Sequence, residues 1–130
     1  MPKFPLDLKS NIILVDATFT SNHATRRIKM VLDTGASVSS IPYEIALSLG
    51  IDPTHSKRRI EIMTASTVEY VPIITIPKVS FLEECFVNNL DVICINLPHD
   101  TRASGLLGLN ALRHFDVLLK FRSGLLEITR

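Results

Sequence analysis

The sequence predicts an all-β fold, a barrel or a sandwich of short strands. Three observations predict it. β-Branched and other apolar residues come in short runs, interrupted every few positions by turn residues. Only two stretches carry helical spacing, and both are short. The five glycines all read as turn or helix-end positions. The chain has 130 residues, which fits one domain over 1–130. Hydrophobic residues make up 46% and the mean hydropathy is +0.27, so a core can be buried.

Residues 1–9 hold two prolines and read as an extended N-terminal arm. Residues 11–19 are rich in β-formers and read as a strand, closed by the turn cluster Thr20-Ser21-Asn22-His23. Over 26–32, Ile28, Met30 and Leu32 take one face and Arg27, Lys29 and Val31 the other, as in a strand. This strand runs into a turn at Asp33, and 37–41 is a short β return. Pro42 suits the first turn of a helix and Gly50 its C′ position, with Ile45, Ala46 and Leu49 as the apolar stripe. Residues 51–56 form a loop, and Lys57-Arg58-Arg59 is a solvated strand entry. The β-rich stretches 60–64 and 68–76 make a hairpin around Ala65-Ser66-Thr67. Residues 77–85 read as a connection holding one short strand at most, with Glu83 and Glu84 as solvated surface. A strand over 90–96 and a loop over 97–102 follow. Gly105-Leu106-Leu107-Gly108 leads into a helical turn over 109–114. The last strands are 115–121 and 125–129, joined by Arg122-Ser123-Gly124.

Composition excludes several function classes. A formal charge of +1 gives no ground for nucleic-acid binding or for an acidic partner. No run is long enough to cross a membrane. The N-terminal segment lacks the apolar region of a secretory signal, so cytoplasmic residence is expected. Cys85 and Cys94 then sit reduced in the core or at an interface; a disulfide between them is the alternative. The four histidines, His23, His55, His99 and His114, make no metal-ligand spacing with either cysteine, and no metal or cofactor is expected.

The stretch with chemical content is Val31-Leu32-Asp33-Thr34-Gly35-Ala36-Ser37. An apolar run delivers one aspartate into a tight turn. A carboxylate there is costly unless hydrogen-bonded, and glycine lets backbone N–H groups close around it. Thr34 and Ser37 add hydroxyls on either side. Two readings stay open on these residues alone: a reactive carboxylate, or an Asx-type turn with Asp33 as a structural acceptor.

This stretch resembles the active-site loop of aspartic proteases. Gly105-Leu106-Leu107-Gly108-Leu109-Asn110-Ala111-Leu112 resembles the second signature of the retropepsin-like, or retroviral-type, members. The ordered set of loop, short helix, hairpin, apolar-apolar-Gly-helix and terminal strand is most similar to the small cellular and microbial members. The resemblance implies a closed acid-protease barrel with one or two short helices, one half-site per chain and a homodimer. It implies hydrolysis of a peptide or protein substrate by two carboxylates sharing one proton, without metal or cofactor. The chain carries one Asp-Thr-Gly, and Asp16, Asp91, Asp100 and Asp116 lack the following Gly and hydroxyl; the second carboxylate is therefore Asp33 of another copy.

The roles implied are these. Asp33 is catalytic. Thr34 reaches across the dyad to the other loop, and Gly35 permits the turn and offers backbone to substrate. Ala36 donates nothing to the carboxylate, which implies work at less acidic pH than a pepsin's, and Ser37 adds an outer contact. Gly108 and Asn110 support the loop from behind. Ala65, Ser66 and Thr67 form the tip of the substrate-covering flap, without the glycine often found there. The resemblance also implies a dimer interface built mostly from the C-terminal strand, and pockets lined by residues such as Ile41, Ile60 or Ile74. The rival expectation is a dimeric peptide-binding module on the same fold, without turnover.

Overall fold

A computed structural model describes residues 3–7, 9–63, 66–81, 85–96 and 103–130. In chain order the elements are β1 (Lys3–Pro5), β2 (Leu14–Thr20), β3 (Thr25–Leu32), β4 (Ser39–Ile41), α1 (Tyr43–Ser48), a 3-10 turn at Pro53–His55, β5 (Arg59–Met63), β6 (Val68–Phe81), β7 (Cys85–Cys94), β8 (Gly105–Leu107), α2 (Leu109–Leu112), β9 (Asp116–Lys120) and β10 (Leu125–Thr129).

Six strands close a barrel in the order β2-β3-β8-β4-β7-β6. The ring shuts where β6 returns to β2, with Phe19 opposite Val79. Closure leaves these six strands without a free edge along their paired lengths. β5 pairs only with β6 and extends the sheet beyond the ring. A second sheet, β1-β10-β9, packs alongside.

Strict alternation makes the core. Val15, Ala17 and Phe19 point inward from β2, and Ile28, Met30 and Leu32 from β3. Phe19, Phe81 and Met30 are the largest fully buried side chains, each contributing about 1.5–3 kcal/mol by leaving water. Phe81 meets Phe115 edge-on at 5.6 Å, which ties the barrel to the segment entering β9. Leu126 and Ile128 of β10 are also fully buried. Among the described residues no helix is long and apolar enough to cross a membrane.

The structure departs from the sequence reading in several places. β2 begins at Leu14, because Ser10 and Ile12 are taken by a local turn: Ser10 N–H donates to Asp7 C=O at 3.1 Å and Ile12 N–H to Ser10 Oγ at 3.2 Å. Pro42 is the N-cap of α1, one position before its first turn, while Gly50 takes the C′ position with φ +77°. The stretch 77–85 is no connection. β6 runs on through Pro77 to Phe81, and β7 starts at Cys85. Pro77 is tolerated because the ladder has a gap there. Ile76 pairs with Leu90 and Lys78 with Asn88, so Pro77 falls opposite Asn89, whose φ is +55°. The two residues that look like breakers thus share one position. Gly105 is not at a turn but opens β8, buried. A Cβ there would overlap the backbone oxygen of Ser40. Glu83 and Glu84 lie outside the described residues.

The terminal sheet is paired within the chain. β10 does not offer a free edge, since β1 pairs along one side and β9 along the other. Glu127 on β10 is only 7% exposed, and the ammonium groups of Lys120, at 3.3 Å, and Lys3, at 3.9 Å, compensate its charge. Cys85 and Cys94 are both buried free thiols; Cys85 Sγ–H donates to Ile128 C=O at 3.5 Å. Burial pushes the Cys94 thiol up to about 11.

Candidate active site

The barrel brings the two sequence motifs together. β3 and β8 run parallel, with Met30 opposite Gly105 and Leu32 opposite Leu107. Asp33 follows directly, and its N–H donates to Leu107 C=O at 2.9 Å. The chain then turns. Ala36 N–H donates to Asp33 C=O at 3.2 Å, and Gly35 N–H donates to Asp33 Oδ1 at 2.9 Å. A Cβ on Gly35 would sit 3.2 Å from that same Oδ1, tighter than ordinary contact, so the close approach of backbone to carboxylate favours glycine.

The loop is held from behind by the start of α2. Leu109 N–H donates to Ala36 C=O at 2.8 Å and Asn110 N–H to Ser37 C=O at 3.2 Å. Gly108 makes this approach possible, since a Cβ there would lie 2.8 Å from Ala36 O and 2.8 Å from Val38 C. The Asn110 amide completes the brace. Its Oδ1 accepts from Ser39 N–H and from Ser39 Oγ–H, each at 2.9 Å, and its Nδ2–H donates to Asp91 C=O at 2.7 Å. Gly108 N–H donates to Ser39 Oγ at 2.9 Å, and Leu106 N–H to Ser40 Oγ at 3.3 Å. Ser39 and Ser40 are buried with these partners, so loop, β4, β7, β8 and α2 form one hydrogen-bonded block.

Asp91 extends that block to the β5–β6 hairpin. Arg58 Nη1 and Nη2 donate to its two oxygens at 3.0 and 2.9 Å, and Thr75 Oγ1 donates to Oδ1 at 2.6 Å. The Arg58 hydrogen bonds hold the Asp91 carboxyl below its ordinary range against an opposing desolvation, and Thr75 adds to the lowering. The hairpin has two different faces. Val71, buried, lies on the same side as Ile60, Ile62 and Glu69. The other side exposes Met63, Val68 and Tyr70.

Asp33, Gly35, Ala36, Ser37, Gly108 and Asn110 therefore meet in one place. Asp33 is half-buried, while Thr34 and Ser37 are exposed, and neither hydroxyl bonds to a described residue; Ser37 acts through its carbonyl. Ser66 and Thr67 are exposed at the end of the hairpin, and Ala65 lies outside the described residues. Ile41 and Ile74 are 0% and 5% exposed within the core, and Ile60 is half-buried. The sequence reading missed Ser39, Ser40 and Asp91. Two adjacent hydroxyls in an apolar strand were the available signal, because buried hydroxyls need partners. Among the described residues no cluster of three His, Cys, Asp or Glu side chains can hold a metal ion.

Residues 18–114 match the model of the family described as gag-polyprotein putative aspartyl protease. The chain belongs to that family. The matched span takes in the Asp33 loop and the bracing segment up to α2. Among solved structures, the fold is similar to a retropepsin-like aspartic protease from Rickettsia conorii, with a TM-score of 0.72, 24% identity, 98% of this chain covered and 88% of that one. No curated protein matches. Family and fold together are those of retropepsin-like aspartic proteases, and the all-β barrel expected from the sequence is the observed one.

Proposed function

We propose that this family member is an aspartic endopeptidase whose site is completed by two copies of the chain. The observation that carries the reading is the Asp33 turn, a half-buried carboxylate that accepts a hydrogen bond from Gly35 N–H and is braced by β8 and α2. A turn braced by β8 and α2 does not need a charge at its tip for stability, since an uncharged acceptor would hold Gly35 as well. Asp33 is the only carboxylate in the loop, and two are needed. One, ionised, takes a proton from water. The other, protonated, donates to the scissile carbonyl oxygen. Like charges held close cannot both ionise, so the shared proton follows from proximity. A two-fold axis beside Asp33 supplies the second carboxylate from the partner copy. Thr34, with a free hydroxyl at the tip, is suited to bond the facing loop. Because both edges of β10 are occupied, the partner meets the outer strands of the terminal sheet and the loops around Asp33. Substrate lies extended between Asp33 and the β5–β6 hairpin.

The test is cleavage of a peptide library, read by mass spectrometry from about pH 4 to pH 8 to bracket carboxylate-dyad titration, with wild type beside Asp33→Ala. Cleavage by wild type alone is expected. A folded dimer that binds peptides without cutting any sinks the endopeptidase reading and leaves a peptide-binding module.

A further inference from the structure

We propose that Glu69 makes the cleft beside it a subsite for a lysine or arginine side chain of the bound peptide. The inference rests on the reading of the hairpin as the cover of a peptide site, and adds the charge class selected there. Glu69 pairs across the hairpin with Ile62, and shares with buried Val71 the side turned to the barrel. A cleft of about 440 Å³ opens between this strand and the start of α1 together with the residues leaving β7. Glu69, Tyr70 and Val71 form one wall, and Tyr43, Ile95 and Asn96 the other. Ile95 N–H donates to Ile41 C=O at 3.0 Å, so the second wall is continuous with β4, which begins two positions after Ser37.

The chemistry of the cleft is one-sided. Among the described residues Glu69 is its only charged lining group, and it forms no hydrogen bond or ion pair with any of them. The basic residues of the hairpin do not neutralise it. Arg58 is engaged by Asp91 and Thr75, and Arg59 sits opposite Pro72 on the other face. A carboxylate, the Tyr43 ring across the cleft and an apolar floor of Val71 and Ile95 suit a long alkyl stem ending in a cation, while the Tyr70 ring points to the other face. The cleft is long enough in volume for such a side chain, and a glutamate or aspartate there would meet like charge.

The test uses binding, so it does not depend on turnover. Pools of peptides with a reduced scissile amide are fixed as Lys, norleucine or Glu at each position in turn, and titrated against wild type, Glu69→Gln and Glu69→Lys. Wild type should favour Lys over norleucine at one position by about three- to fivefold, the size expected of a partly exposed ion pair. That ratio should fall to near one in Glu69→Gln and invert toward Glu in Glu69→Lys. A wild type with no Lys preference at any position, or a preference that survives in Glu69→Gln, overturns the assignment. Cleavage of the matching unreduced pools by wild type and Asp33→Ala tests the endopeptidase reading separately.

Discussion

At the scale of single residues, the brace behind Asp33 is sensitive to one methyl group. Gly108 faces backbone on two sides, so a Cβ cannot be accommodated by moving a side chain. Gly108→Ala should cost about 1–3 kcal/mol from overpacking, offset only in part by the lost flexibility of glycine when unfolded. Thermal melting should drop by several degrees, and an unchanged midpoint would refute the crowding argument. Cys94 gives a second test. Its folded pKa, raised by burial to about 11 from an ordinary 9.0, means that its contribution to stability is complete below pH 9.0 and lost as pH rises through about 11. Iodoacetamide at neutral pH should therefore modify Cys94 slowly in the folded chain and rapidly after unfolding, read by mass spectrometry. Equal rates would contradict its burial. That Asp33, Gly35, Gly108 and Asn110 meet in one place was legible in the sequence through the two motifs that carry the family resemblance. Ser39 was not, since its value comes from meeting Asn110 across the barrel, a contact no local pattern encodes.

At the scale of elements, the reading succeeded where alternation was clean and failed where breakers intruded. The inward set of β3 was visible as Ile28, Met30 and Leu32, and all three are buried. The long β6–β7 pair was hidden, because Pro77 and Asn89 each argue locally for a turn and only their pairing across the ladder makes both harmless. The Arg58–Asp91 pair, joining the hairpin root to β7, was hidden for the same reason: the partners are far apart in sequence. It gives an acid-side prediction. The Asp91 carboxyl titrates below its ordinary 3.8, so its stabilisation is present above that value and is lost as pH falls through the lower folded pKa. Asp91→Asn should destabilise by under about 1 kcal/mol near neutrality, as befits an exposed pair. The gap between variant and wild type should close at acid pH in denaturant titrations. A gap that stays constant down to about pH 2, where carboxylates are protonated, would detach the effect from this ion pair.

At the scale of the whole molecule, the closed barrel and the half-site set different requirements. The barrel satisfies its own edges, whereas the chemistry proposed for Asp33 needs a second chain. Specific activity should therefore rise with protein concentration below the dimer dissociation constant and level off above it, following sedimentation measured on the same samples. Activity per chain that is flat while sedimentation reports dissociation would exclude a shared site. The terminal sheet sharpens this point. β10 is paired on both sides from within one chain, so its pairing does not wait for a partner. Folding and assembly become separate events in time. Such a chain can accumulate fully formed yet inert, and the hydrolysis proposed for Asp33 would then start as a second-order event, timed by how many copies share a compartment.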